Sequence, residues 1–497
     1  MWTRAFLAGL CLYAHTAWAQ DASPLSVIDW LNEQPDEIVP QVNEPDVTQS
    51  GDIPTITTRP LLEDGTRRIG LAAAELAGLP ADLWSQSDGR TLAQQIQRMP
   101  SLHLPAAQGL LFKAILLEAD PAKGSSDVVD LARVDALTAR GALDPALTLL
   151  KQIGPDRTPA HFARFADLSL LNGTEAEACA ILIDMPHLSP GEAMRIFCIA
   201  RTDDWETAAL ILGTSAAVET LTEQDADALA RFLDPDLFEG SPPLSLPDDV
   251  DPLRFKVFAA IGQPIPTRTL PVIFANADLS PDAGWKGQLE AAERLGQQGA
   301  LPENRLIGIY SNRRPAASGG VWDRVQAVQR LEAAIATGSD DAVNKTLPVM
   351  WKMVKENRLA LPMARLFAEQ LDPTRMTPAA RRAATEMQLL SGVATETQDP
   401  ILLAIATDAS EWPTNVSAKE RAIMRGLRDA IPDGKSASLI QRGETGAALL
   451  RSIEQLHTGA GGDVSALISA LATLRALDQK VAARQAALEI LILGSAS

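Results

Sequence analysis

Three short stretches decide how this chain folds: Gly141-Ala-Leu-Asp-Pro-Ala146, Gly173-Thr-Glu-Ala-Glu-Ala178 and Asp203-Asp-Trp-Glu-Thr-Ala208. Each is followed by an apolar pair: Leu149-Leu150, Ile181-Leu182 and Ile211-Leu212. Their first residues stand 32 and 30 positions apart. A fixed period of that size, with a helical pattern on either side of each turn, is the mark of stacked helical hairpins. One hairpin cannot bury its apolar face alone, so neighbours stack and share a core. The alanine five positions after each turn begins lets two helices approach closely. The expected fold class is therefore all-α, an α-solenoid of stacked helical hairpins.

The helical pattern extends in both directions from this repeat. Apolar residues recur three and four apart from Leu71 onward, which predicts helices near 90–99, 105–118, 127–140, 144–153, 159–171, 175–184, 190–201, 205–217 and 223–233. A stretch rich in Pro and Asp, Gly240 to Pro252, interrupts the pattern. Helices resume near 253–261, 283–298, 321–336, 340–356, 362–371, 378–390, 417–430, 444–457, 464–476 and 479–493. The expected organisation is a hairpin solenoid over 67–240, a linker over 241–252 and a C-terminal helical domain over 253–497.

The N-terminus reads differently. Met1 to Ala19 carries Arg4, an apolar run from Ala5 to Tyr13, and Ala17-Trp18-Ala19 before Gln20. This is the pattern of a removable secretory signal over 1–19, and the run is too short to span a bilayer. The expected location is the periplasm, or outside the cell. Residues 20–66 form an acidic stretch punctuated by Pro24, Pro35, Pro40, Pro45, Pro54 and Pro60, which reads as a disordered tether. Within it, 23–34 has the makings of a short helix, with Ser23 as cap, Pro24 at the first position, and Leu25, Ile28 and Leu31 on one face. Leu25, Ile28, Trp30 and Leu31 either dock on the chain's own body or enter a partner's groove.

Charge and composition exclude several functions. The chain has a formal net charge of -19, which repels nucleic acid and anionic membranes. Aromatics are 4% of residues, too few for the stacking platforms that sugars and bases need. No segment after the N-terminus is long and apolar enough to insert in a membrane.

The turn Gly141/Leu143/Ala146, and Trp205/Ala208 after Asp203, resembles the Gly-x-Φ-x-x-Ala turn of the tetratricopeptide family over roughly 127–217, with an echo at Asp478 to Ala483. Glu175 stands where the middle copy should be apolar, and the first-helix aromatic is missing. The resemblance implies a scaffold that holds peptides or helices on a concave face. Arg195-Ile-Phe-Cys-Ile-Ala-Arg201, Phe238-Glu-Gly-Ser-Pro-Pro-Leu244 and Arg313 to Arg324 also resemble a set of Ala-rich secreted alphaproteobacterial proteins, some labelled antifreeze-like. An ice-binding ladder of Thr and Ala every eleven residues is absent from this sequence.

Motifs that carry chemistry are scarce. His103, His161, His187 and His457 are scattered, with no i, i+4 pair for a metal, so no metal or cofactor is expected. Asp248, Asp249 and Asp251 lack calcium-loop spacing. Gly434-Lys435-Ser436 resembles the end of a phosphate loop, but Asp429 occupies the first glycine position and no strand precedes it. No Gly-x-Ser-x-Gly elbow is present.

Two features remain. Cys179 falls in the second helix of one expected hairpin and Cys198 in the first helix of the next. In an oxidising compartment such an even pair reads as a disulfide, the alternative being two small buried residues that never bond. The loop Asn312 to Gly320, followed by Val321-Trp322-Asp323-Arg324, concentrates positive charge on an acidic chain. Arg313, Arg314 and Arg324, with Trp322, either grip a partner's carboxylate or pair with the chain's own acids. The expected function is a non-catalytic periplasmic scaffold for partner proteins of a cell-envelope machine. The alternatives are a muramidase-like enzyme acting on cell-wall material and a protein that binds peptides or small ligands.

Overall fold

In the computed structural model, the three repeated turns share one backbone conformation. Gly141 (φ 79°), Gly173 (φ 74°) and Asp203 (φ 63°) all lie in the left-handed region. Glycine reaches it without a steric cost, and aspartate is among the few other residues that visit it routinely. Each turn joins two helices: Ser126–Ala139 to Leu143–Ile153, Pro159–Asn172 to Glu175–Asp184, and Glu192–Ala200 to Trp205–Ala217. Ala146, Ala178 and Ala208, the small residues five positions on, are each 0% exposed. The packing explains their size, since a larger side chain would hold the paired helices apart.

The structure describes residues 68–494 except 125 and 394–395; the signal, the tether and its 23–34 island lie outside the described residues. Helix accounts for 66% of the described residues, and no strand occurs among them. Three isolated bridges link the 69–72 and 88 segments to 117, 119 and 123.

Consecutive helices pack in order along the hairpin stack, and the chain then turns back over it. Glu223–Leu233 packs on Glu192–Ala200, Pro252–Ala260 packs on Pro159–Asn172, and the 3-10 run Val272–Leu279 packs on the first helices of both earlier hairpins. The seam is tight at Gly141: a Cβ there would sit 2.6 Å from Leu295 Cδ2. Asn276 donates to the Gly141 carbonyl at 3.0 Å.

The division expected at 241–252 is not where the buried residues divide. One cluster spans Ile69 to Phe274 and resumes from Ile401 to Ile490; the other spans Ala275 to Leu390. The cause is a closure. Thr445–Ala460 and Lys480–Ile492 pack against Pro105–Leu116. Gly446 N–H donates to the Leu83 carbonyl at 3.0 Å, and Ala106 N–H donates to Glu489 Oε2 at 2.6 Å. Sequence-distant ends thus share one core, which no local pattern reveals.

Candidate functional site

A cavity of about 1020 Å³ lies where the hairpin stack, the 285–367 helices and the C-terminal helices meet. One wall is the Pro105–Leu116 helix, which turns Pro105, Gly109, Phe112 and Leu116 toward it. These positions lie three and four apart, hence on one helical face. The opposite side of the helix buries Ala107, Leu111 and Ala114 at 0% exposure. Gly109 is exposed in the middle of the wall, and a Cβ built on it meets nothing within 4 Å. The other walls are the connection 296–303 and the turn between Asp340–Glu356 and Ala360–Phe367.

A chain of side-chain amides holds these walls together. Gln108 Nε2 donates to the Leu102 carbonyl at 2.7 Å and to the Gln297 carbonyl at 2.9 Å. Gln297 Nε2 donates to the Asn357 carbonyl at 3.1 Å. Gln108 is 6% exposed, so its bonds are made away from bulk water, where leaving them unmade would be costly.

Three cations line the cavity: Lys355, Arg358 and Arg365. Lys355 pairs with Glu386 at 2.7 Å, and Arg365 with Glu303 at 2.6 Å. Arg358 makes no side-chain hydrogen bond or ion pair with any described residue. Beside it, His103 is pushed below the ordinary histidine value by burial, then by the charges of Arg358 and His457. The rings of His103 and His457 lie edge to face with centroids 5.8 Å apart. Of the lining carboxylates, Glu303 is held by Arg365, and Glu356 lies 3.9 Å from Lys352. No nucleophile–base pair lines the cavity among the described residues.

The residues expected from sequence lie elsewhere. Cys179 and Cys198 are bonded, with Cα atoms 4.9 Å apart, and link the second hairpin to the third. Trp322 packs on Trp285 with the rings tilted and centroids 5.2 Å apart. Arg324 grips both oxygens of Glu293, which also accepts from Tyr310 Oη at 2.6 Å. Arg324 is thus engaged by the chain's own acid. Arg313 and Arg314 are exposed on the loop, whose Arg313 carbonyl accepts from Gln329 at 2.6 Å. Leu25, Ile28, Trp30 and Leu31 lie outside the described residues.

The departures from the repeat also have structural reasons. Glu175 is 6% exposed and meets Arg201 at 3.5 Å and Lys256 at 3.3 Å, so it ties its hairpin to the next one and to the returning 252–260 helix. Asp433 caps the helix that begins Gly434-Lys435-Ser436 and accepts from Arg451 at 2.8 Å, so this stretch is a capped helix start. Sequence reading missed Arg358, His103 and Gly109 as a group because Arg358 lies far along the chain from the neighbouring His103 and Gly109. The one available signal was an arginine at a helix end where glycine or asparagine is usual. No family model, curated protein or solved structure matches this chain.

Proposed function

We propose that this chain is an exported, non-catalytic binding protein of the cell envelope that holds a segment of a partner protein in its central cavity. The observation that carries the reading is the cavity itself. It is pre-formed, pinned by the Gln108–Gln297–Asn357 amides, and lined by apolar side chains interspersed with charged and amide groups. That is the form of a binding site.

A partner on the first-helix face of the hairpins, as the tetratricopeptide resemblance implies, would compete with the chain's own 223–279 segment. The cavity is the better candidate. Export is supported by the signal-like 1–19 stretch and by the Cys179–Cys198 bond, which suits an oxidising compartment. The 23–34 island and the Arg313/Arg314 loop are proposed as outer contacts that bring the partner near.

A photo-crosslinking residue at Phe112 tests the reading in native cells. The expected result is one dominant adduct that disappears in Gly109→Trp, whose side chain would project into the cavity beside Phe112 and obstruct it. An adduct pattern unchanged by Gly109→Trp would overturn it.

A further inference from the structure

We propose that the cavity recognises the free C-terminal carboxylate of an apolar polypeptide tail, with Arg358 as the group that binds it. This rests on the reading of the cavity as a site for a partner's segment.

The argument begins with the turn. Arg358 closes the Asp340–Glu356 helix with φ +55°. Its N–H donates to the Lys355 carbonyl at 3.2 Å, and the next N–H donates to the Val354 carbonyl at 2.8 Å. This left-handed helix ending is one that glycine fills most readily. Glycine does fill it at 141, 173 and 443, aspartate at 203 and 478, and the exposed Glu219 after the Trp205–Ala217 helix. An arginine there is a costly choice for the backbone alone. Its side chain makes no ion pair or hydrogen bond with a described residue to offset that cost, although the chain carries a net charge of -19. The side chain instead lines the cavity, and the neighbouring carbonyl of Asn357 is pinned by Gln297 at 3.1 Å. Arg358 is solvent-exposed where it lines the cavity, and its side chain has no partner among the described residues.

Charge complementarity then selects the occupant. Lys355 and Arg365 are already matched by Glu386 and Glu303, so Arg358 is the lining cation left to receive an anion. Guanidinium binds a carboxylate through two parallel hydrogen bonds. His103 adjoins it and, with its proton affinity lowered by burial and by Arg358, stays neutral near pH 7 and able to donate one hydrogen bond. An N-terminal ammonium would be repelled at this end.

The rest of the lining favours a peptide over a simple fatty acid. Gln297, Glu356 and Lys355 also face the space. An alkyl chain would strip water from these groups and return no hydrogen bonds, whereas a peptide backbone offers donors and acceptors. Phe112, Leu361 and Leu493 provide apolar surface for its side chains.

The test offers the full chain a mixture of N-acetylated octapeptides randomised at every position, once as free acids and once as C-terminal amides. Retained peptides are quantified by mass spectrometry. The expected result is at least ten-fold enrichment of free acids over amides, with apolar residues near the end. Arg358→Gly should abolish the enrichment with an unchanged or higher melting temperature, because glycine relaxes the turn. Arg358→Lys should keep part of it.

Equal retention of acids and amides, removed by Gly109→Trp, would overturn the carboxylate inference and leave the cavity reading standing. So would enrichment that survives Arg358→Gly, or amides selected for internal Asp or Glu. No retention above that of Gly109→Trp would overturn both.

Discussion

The hairpin stack and the central cavity treat an open helical face in opposite ways. Over 126–217 the first helices present a face that the chain covers with its own 223–279 segment. At the cavity, the Pro105–Leu116 helix presents Gly109 and Phe112 to open space. The same contrast separates two arginines. Arg324 is closed off by Glu293 and Tyr310, whereas Arg358 has no such partner among the described residues. The comparison teaches that an arginine beside glycines in sequence does not announce a binding group. What matters is whether the fold brings an acid to it.

The largest expected effect comes from opening the sealed arginine. Glu293→Ala should lower stability by about 3–5 kcal/mol, since it leaves the half-buried Arg324 unpaired. Replacing both residues by Met should recover much of the loss. Urea unfolding would measure it, and a change under about 1 kcal/mol would mean that Arg324 is as free as Arg358.

Removing the disulfide sharpens the contrast between the hairpin stack and the cavity. Cys179 and Cys198 are 19 positions apart, so the double Ser variant should lose about 3 kcal/mol on the chain-entropy estimate. The loss should fall on the stack, and peptide retention by the surviving folded protein should not change.

A third test concerns the closure beside the cavity. Glu489 is buried, and burial raises its carboxyl from 4.5 to about 7 against the pull of Ala106 N–H and Gln485. A carboxyl whose pKa rises on folding contributes most stability below its unfolded value, and that contribution is lost as pH climbs through the folded value. Between pH 4.5 and 7 the loss should be on the order of 3 kcal/mol. Unfolding curves across that range should be steeper in pH for the natural chain than for Glu489→Gln. Parallel curves would mean that Glu489 does not titrate in the closure.

The smallest effects pair two glycines. Gly141→Ala places a Cβ in a left-handed turn and against Leu295, and should cost about 2 kcal/mol. Gly109→Ala lies in a helix facing empty space and should gain about 0.5–1 kcal/mol. Equal signs for the two would break the distinction between a sealed seam and an open wall.

The hairpins were legible because their cause is local. A left-handed residue, an alanine five positions later and a 3.6-residue apolar period fix a helix-turn-helix without distant help. Short helices such as Glu303–Ser311 and Pro400–Thr407 were not anticipated, since a few turns give little period to detect. The cysteine pairing was legible from its placement on adjoining helices. The site was not legible. His103 and Gly109 come from one end of the chain and Arg358 from its middle helices, and tertiary contacts such as Gln108 to Gln297 bring the two together.

The sequence by itself determined the helical class, the repeat and the excess of negative charge, each of which depends on neighbours a few residues apart. Only the tertiary structure decided which face is covered, which arginine is matched by an acid and where the open space lies. Those outcomes depend on burial and Coulomb partners brought together from tens to hundreds of residues apart, and such encounters leave no periodic trace in the chain.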